Sequence, residues 1–411
     1  MRCTMRDIFQ QHGASYAASR RLHPREARAA WCIANCYSAA MGGHTLACPQ
    51  GHYVVEQAHA CRHRSCPRCA ARPRQAWADA QLARLLPCPH FHVIFTLPHE
   101  LLALWEYNRE CFTGLLFDSV RESLLALLGE QRHLGATPGL LMVLHTWGRN
   151  LSHHPHVHTL VTAGGWSREQ QRWLATRGAY LLPLKPLRRL YAGKLLAALR
   201  ALLDQGRLRL PPALPAGHWA GLLGRLYRKH WNIEIRAPHA SGRGVALYLA
   251  RYAKGGPLPR ERPLFMHDAL VSFEYQDHRD GRAKRLHLTA QEFIARILWH
   301  APPKGVHTVR HAGLYATAAR GHHHLAAIAL SLPHAPAAPR PSPVPPPPQR
   351  CPHCAMPLER VATAPPRRRN QISHQQSAPL ARQPFYGQRP RGLGATNRSN
   401  GPPTAGHELS S

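Results

Sequence analysis

Acidic side chains and long apolar runs are both scarce in this chain. Its 411 residues hold 21 Asp and Glu against 53 Lys and Arg, a formal charge of +32 before any of the 31 histidines is protonated. Such an imbalance says nothing about fold, but it favours a polyanionic partner, either nucleic acid or an anionic membrane surface. The second scarcity weighs against the membrane. A spanning helix needs about 18 consecutive apolar residues. The best candidate, Leu181–Leu203, is interrupted by Lys185, Arg188, Arg189, Lys194 and Arg200. Met1–Gly13 carries charges where an export signal needs an apolar stretch, so the expected location is cytoplasmic, and nucleoid-associated if the partner is DNA. Internal repeats are absent.

Cysteine is present but unevenly spread. Of 11 cysteines, Cys3, Cys32, Cys36, Cys48, Cys61, Cys66 and Cys69 fall in the first 69 residues. In a reducing compartment such clustering points to metal rather than disulfides. Cys48-x3-His52 followed by Cys61-x4-Cys66-x2-Cys69 has tetrahedral zinc spacing, because close pairs supply ligands from a tight turn and thiolates suit a borderline-soft ion. Cys36 and His44 also lie within reach, leaving open the ligand set and the number of ions. Arg62, Arg64, Arg68, Arg72 and Arg74 surround Cys66-Pro67-Arg68-Cys69, which is too polar a setting for a buried apolar cysteine. A structural zinc there would hold arginines, Arg62, Arg64 and Arg68 among them, on a rigid DNA-facing surface. Cys351-Pro352-His353-Cys354 reads as half a site, a stray knuckle or a pair of non-ligands.

The length allows two or three domains and a sizeable core. Residues 1–88 form a cysteine- and arginine-rich segment, with a helix through Cys32–Cys36, a turn at Gly42-Gly43 and a helix over Gln75–Leu86. Residues 89–325 alternate strands (Phe91–Leu97, Leu140–Trp147, Val157–Thr162, Ile233–Ile235) with helices (Leu101–Leu128, Tyr191–Leu203, Trp219–Trp231). Asp280-Gly281 marks a hairpin between Leu270–Tyr275 and Lys284–Leu288. Thr289-Ala290-Gln291-Glu292 is a capping box before a helix over Phe293–Trp299. This pattern predicts an α+β domain built on an antiparallel sheet with flanking helices. From 326 to 411 the chain is rich in Pro, Arg, Gln, Ser and Gly, a composition expected to form a disordered tail.

Two motifs carry chemistry. On a strand, His156 and His158 point to one face and can converge on a divalent cation. On a helix, Tyr248 and Tyr252 share a face, and Gly255-Gly256-Pro257 ends that helix cleanly. A metal that polarises a phosphate, beside a phenol that attacks it, would break and rejoin DNA strands. Arg251 and Lys254 flank the tyrosines and can neutralise phosphate or form a solvated face. Trp147, Trp166 and Tyr180 are candidates for base stacking or for core packing.

Taken in order, these motifs make the chain recognisable. Gly42-Gly43-His44, Ser65-Cys66-Pro67-x-Cys69, Phe91-His92-Val93-Ile94-Phe95-Thr96-Leu97-Pro98, Leu144-His145-Thr146-Trp147-Gly148, His154-Pro155-His156-Val157-His158, Tyr248-Leu249-Ala250-Arg251-Tyr252 and Val309-Arg310-His311-x-Gly313-Leu314-Tyr315 span most of it. Together they resemble the transposases of rolling-circle insertion sequences, the two-tyrosine branch of the HUH endonuclease superfamily, with an N-terminal zinc-binding domain. Two departures stand out. Cys48-Pro49-Gln50-Gly51-His52 replaces the Cys-x2-Cys-Gly-His of many relatives, so one cysteine is missing. After Tyr252, Ala-Lys-Gly-Gly-Pro replaces a sequence common in other members. The resemblance implies Mg²⁺ or Mn²⁺ held by His156, His158 and a third polar ligand, either His154 on the same strand parity or His145 on a neighbouring strand. It also implies Tyr248 and Tyr252 as nucleophiles that leave a 5′-phosphotyrosyl link on single-stranded DNA. Two other readings share some of these residues: a plasmid replication initiator or relaxase, and a non-catalytic zinc-dependent DNA-binding protein.

Overall fold

The computed structural model describes residues 1–212, 216–277, 280–331 and 348–366. The N-terminal region begins with a short strand β1 (Arg2–Cys3) and two helices, α1 (Met5–Ala18) and α2 (Pro24–Asn35). Both helices open on capping boxes. Thr4 exchanges hydrogen bonds with Asp7, and His23 does so with Glu26, so the first-turn amides are satisfied and the acids sit at the positive helix end. The hairpin strands β2 (Gly43–Ala47) and β3 (Val54–Ala58) follow, then α3 (Ala71–Leu82). This last helix starts earlier than expected and ends four residues sooner.

The central region alternates strands and helices as the sequence predicts. It runs β4 (His90–Thr96), α4 (Leu102–Tyr107), α5 (Arg109–Gly129), β5 (Thr137–Trp147), β6 (His153–Ser167) and β7 (Arg172–Ala175). Next come α6 (Leu184–Asp204), α7 (Ala216–Arg228), β8 (Ile233–His239) and α8 (Arg243–Ala253). The single helix expected over Leu101–Leu128 is broken at Asn108. Its side-chain amide donates to the carbonyl of Arg209, and its side-chain oxygen accepts from the amide of Arg209, both at 2.8 Å. That clamp takes Asn108 out of helical conformation (φ −127°, ψ 32°).

The chain then forms β9 (Leu264–His267), β10 (Leu270–Gln276), β11 (Ala283–Thr289), α9 (Ala290–Trp299), β12 (Val309–Gly313), α10 (Arg320–Ser331) and β13 (Glu359–Ala364). Only half of the expected capping box forms at α9, where the Thr289 hydroxyl accepts from the Glu292 amide.

The fold is α+β with antiparallel sheets. The largest sheet has the order β12-β5-β6-β4-β8, with β7 on the far end of β6. Alternation sorts its two faces. Phe91, Val93, Phe95, Leu140, Met142, Leu144, Val157 and Val161 face α5 and α6 in the main core. Each such fully buried side chain contributes roughly 1.5–3 kcal/mol. The opposite face carries Leu141, Val143 and Leu160 against Val245 and Leu249 of α8. At one end of that second face, aliphatic residues give way to histidines.

The core does not divide at residue 88. Met5, Ile8, Phe9, Ile33 and Cys36 share one apolar cluster with Leu258, Phe273, Phe293 and Ile297, and β1 pairs with β9. The segment expected to be a tail from 326 also contains structure. Residue 326 lies inside α10, and β13 pairs with β2 beside β3 in a small sheet. The remaining tail residues, 332–347 and 367–411, lie outside the described ones. Among the described residues, no helix is long and apolar enough to cross a membrane.

Candidate active site and metal centres

The histidine cluster follows from strand register. His156 on β6 lies opposite His145 on β5 and Thr96 on β4, while His158 lies opposite Val143 and Ile94. Directly opposed residues in an antiparallel pair share a face, so His145, His156 and His158 converge. The Nδ1 of His145 is 2.9 Å from Nε2 of His156, which is 3.0 Å from Nε2 of His158. Ligands about 2.1 Å from a cation on adjacent octahedral vertices stand about 3.0 Å apart, so the spacing fits a small divalent ion. The outer nitrogens of His156 and His158 are held as metal ligands require, while Nε2 of His145 is buried without a hydrogen-bond partner among the described residues. The Nδ1–H of His156 donates to the His154 carbonyl at 2.5 Å, and Nδ1 of His158 meets Nε2 of His92 at 2.8 Å. Burial pushes His156 down to about 3 and holds His145 and His158 well below the usual histidine value. All three are therefore neutral lone-pair donors near neutral pH.

His154 does not join them. The β5–β6 register shifts between His145 and Trp147, where Trp147 pairs with His153. This bulge gives β6 an extra residue around His154-Pro155 and breaks the alternation on which the expectation rested. The His154 ring lies beside His99 and His156. The convergent third imidazole is His145.

Both tyrosines reach the cluster from α8. The Tyr252 ring is 4.0 Å from His145 and stacks on His158 at 5.7 Å. Tyr248 lies 5.7 Å from His158, 5.9 Å from His92 and 4.9 Å from Tyr252, measured between ring centroids. Burial, and then the neighbouring Tyr248, raise the Tyr252 phenol above its usual pKa. His92 and Arg236 escaped the sequence reading. They are register partners on β4 and β8, which puts Arg236 at the exposed edge of the histidine face, its guanidinium 2.8 Å from Glu234. Strand alternation around Phe91-His92-Val93 would have revealed His92; nothing local marks Arg236. Trp147 and Trp166 are buried, and Tyr180 is exposed.

The zinc ligands, whose grouping and number of ions the sequence leaves open, divide into two sets. Cys36, at the end of α2, meets Cys61, Cys66 and Cys69, with all sulfurs within 4.8 Å of one another. The Cys36 and Cys69 sulfurs are 3.4 Å apart, and those of Cys61 and Cys69 are 3.6 Å apart. Tetrahedral Zn–S bonds of about 2.3 Å place sulfurs about 3.8 Å apart. Burial and the adjoining thiols push the Cys69 thiol up to about 12, so a cation is what would let these groups ionise together. Cys48 and His52 lie apart from that cluster, grouped with Cys351 and Cys354. His44 instead faces His59, with ring nitrogens 3.2 Å apart.

The arginines also separate. Arg62, Arg68, Arg251 and Lys254 are exposed, and the Arg68 guanidinium lies 4.6 Å over the Tyr37 ring. Arg64, expected on the surface, instead points inward. It donates to the Tyr252 carbonyl at 2.9 Å and to the Thr308 hydroxyl at 3.2 Å, tying the cysteine knuckle to the tyrosine helix.

The comparisons agree with this layout. Residues 8–97 match a family profile described as "Transposase zinc-binding domain", and residues 139–322 match one described as "Putative transposase". The chain is 36% identical over 314 residues to "Putative transposase y4qJ" of Sinorhizobium fredii, covering 75% of this chain and 79% of that one. It is 30% identical over 293 residues to "Transposase for insertion sequence element IS801" of Pseudomonas savastanoi pv. phaseolicola, covering 67% and 65%. No solved structure matches. A zinc-binding cysteine module joined to a transposase region, in that order and over three quarters of the chain, places this protein in the family of insertion-sequence transposases that carry a transposase zinc-binding domain.

Proposed function

We propose that this transposase cuts and rejoins single-stranded DNA through a 5′-phosphotyrosine in rolling-circle transposition. The observation that carries the reading is the convergence of three neutral imidazoles and two phenols on one face of the sheet. A divalent cation on His145, His156 and His158 would supply Lewis-acid polarisation of the scissile phosphate and favour the phenolate. With three imidazoles and no carboxylate in the group, Mn²⁺ is favoured over Mg²⁺.

The phenol of Tyr248 or Tyr252 gives up its proton to solvent as its oxygen attacks phosphorus, the bond from phosphorus to the 3′ oxygen breaks, and that oxygen takes up a proton from solvent to leave as a free 3′-hydroxyl. Attack of a 3′-hydroxyl on the phosphotyrosine reverses the step, conserving the bond energy and needing no external energy source. Two phenols one helical turn apart let one strand stay covalently held while a second is cut. Arg236, Arg251 and Lys254 neutralise phosphates along the cleft. The zinc module presents Arg62 and Arg68 to the same strand, and Arg64 holds that module against the tyrosine helix.

The test is a covalent adduct assay on single-stranded element ends with Mn²⁺ or Mg²⁺. We expect Tyr248→Phe and Tyr252→Phe together to abolish the shifted band while DNA binding survives. At least one single variant should lower its formation by about 10²-fold or more. Adducts undiminished in the double variant would reject the nucleophile assignment.

A further inference from the structure

We infer that Cys351 and Cys354 complete a second zinc site with Cys48 and His52, a clasp that fastens the segment after residue 348 to the N-terminal hairpin. The matched zinc-binding region ends at residue 97 and contains only half of this group.

Four observations carry it. The ligand atoms of Cys48, His52, Cys351 and Cys354 all lie within 4.8 Å of one another; the Cys48 and Cys354 sulfurs are 3.5 Å apart, and the Cys48 sulfur is 4.0 Å from Nδ1 of His52. Three thiolates and one imidazole in tetrahedral reach form a donor set suited to zinc. Both ligand pairs sit on tight turns. The amide of Gly51 donates to the Cys48 carbonyl, with Gly51 at φ +76°, and the amide of Ala355 donates to the Cys351 carbonyl, with Ala355 at φ +58°. Each turn is one knuckle of the kind that offers two ligands to one ion.

The third observation is strand addition. β13 pairs antiparallel with β2 from Glu359 opposite Ala47 to Ala364 opposite Gly43. The chain beyond it passes so close over Gly42 that a Cβ there would stand 2.4 Å from the Ala364 carbonyl oxygen.

The fourth is the lack of an apolar core under this sheet. Among the described residues, no side chain of β2, β3 or β13 belongs to a hydrophobic cluster, and every residue of β13 is exposed. Yet Cys48 and Cys351 are 4% and 2% exposed. A three-stranded sheet without an apolar core needs a cross-link to persist, and a structural metal is the usual one. The turn at Cys48-Pro49-Gln50-Gly51-His52 supplies two ligands, and the other two come from about three hundred positions along the chain.

The test uses the full-length chain, loaded with zinc and washed with a weak chelator to clear the imidazole cluster. Thiolate-bound zinc is then released with a mercurial and counted. Cys351→Ser/Cys354→Ser should release about one equivalent less than the parent, whereas Cys66→Ser should lose the other equivalent. Cobalt substitution supplies a second readout, because only thiolate sites show sulfur-to-cobalt charge transfer and the three-imidazole site stays silent. Should the variant misfold, the parent still decides. Its Cys48, Cys351 and Cys354 should resist alkylation when zinc is bound and become reactive together once zinc is stripped. Unchanged zinc release in the variant would overturn the clasp. So would free-thiol reactivity at Cys351 and Cys354 in the zinc-loaded parent, or a disulfide between Cys48 and Cys354 in place of the metal.

Discussion

His156 donates its Nδ1–H to the carbonyl of His154, and so its Nε2 lone pair faces His145 and His158. In orienting His156, His154 acts through its backbone carbonyl, which alanine retains. His145→Ala should weaken Mn²⁺ activation by at least about 100-fold, whereas His154→Ala should change it by less than about threefold. Metal titrations of adduct formation separate the two, and the reverse order would restore His154 as ligand. Residue spacing alone made His156 and His158 legible as a pair, because two positions on one strand share a face. It left the third ligand open between His145 and His154, since choosing requires knowing where β6 bulges.

Among the elements, α8 is the one whose placement decides chemistry, and Arg64 fixes its end. The guanidinium caps the Tyr252 carbonyl, near the negative pole of the helix, and bridges to Thr308 ahead of β12. Arg64→Ala should cost about 1–3 kcal/mol, the worth of hydrogen bonds to a charged donor. Thermal melts should show the loss, and adduct formation should fall while Arg62→Ala leaves stability within about 0.5 kcal/mol. Equal melting temperatures for Arg64→Ala and the parent would refute the clamp. From the sequence, an arginine beside a zinc knuckle reads as a DNA contact. Its true partner is a backbone carbonyl far along the chain, which no local pattern announces. Strand and helix positions were largely readable because periods of 2 and 3.6 are local properties. The break at Asn108 was not, because it depends on a hydrogen-bonded partner at Arg209.

For the whole molecule, buried neutral histidines couple folding to pH. Burial lowers His90, His92 and His311 to about 4, against an unfolded value near 6.5. Between those values the unfolded chain binds more protons than the folded one. The stability these groups contribute is therefore present above about pH 6.5 and lost as pH falls toward 4, by up to about 1.4 kcal/mol per pH unit for each of His90 and His92 and by less for the partly solvent-screened His311. Denaturant titrations of metal-free protein from pH 7.5 to 4.5, a window set by these shifts, should show midpoints falling with acid. Midpoints flat across that window would contradict neutral burial of these rings.

The sequence by itself determined the class of partner through its charge, the α+β alternation through its hydrophobic periods, and the histidine and tyrosine pairs through spacing within single elements. Only the tertiary structure decided which imidazole completes the cluster, that the cysteines divide into two groups, and that the segment around Cys351 returns to the hairpin at Cys48. The reason is physical. Periodicity specifies which face a side chain takes within its own strand or helix, whereas bulges, strand pairing and clamps between distant segments arise only when those faces are packed together.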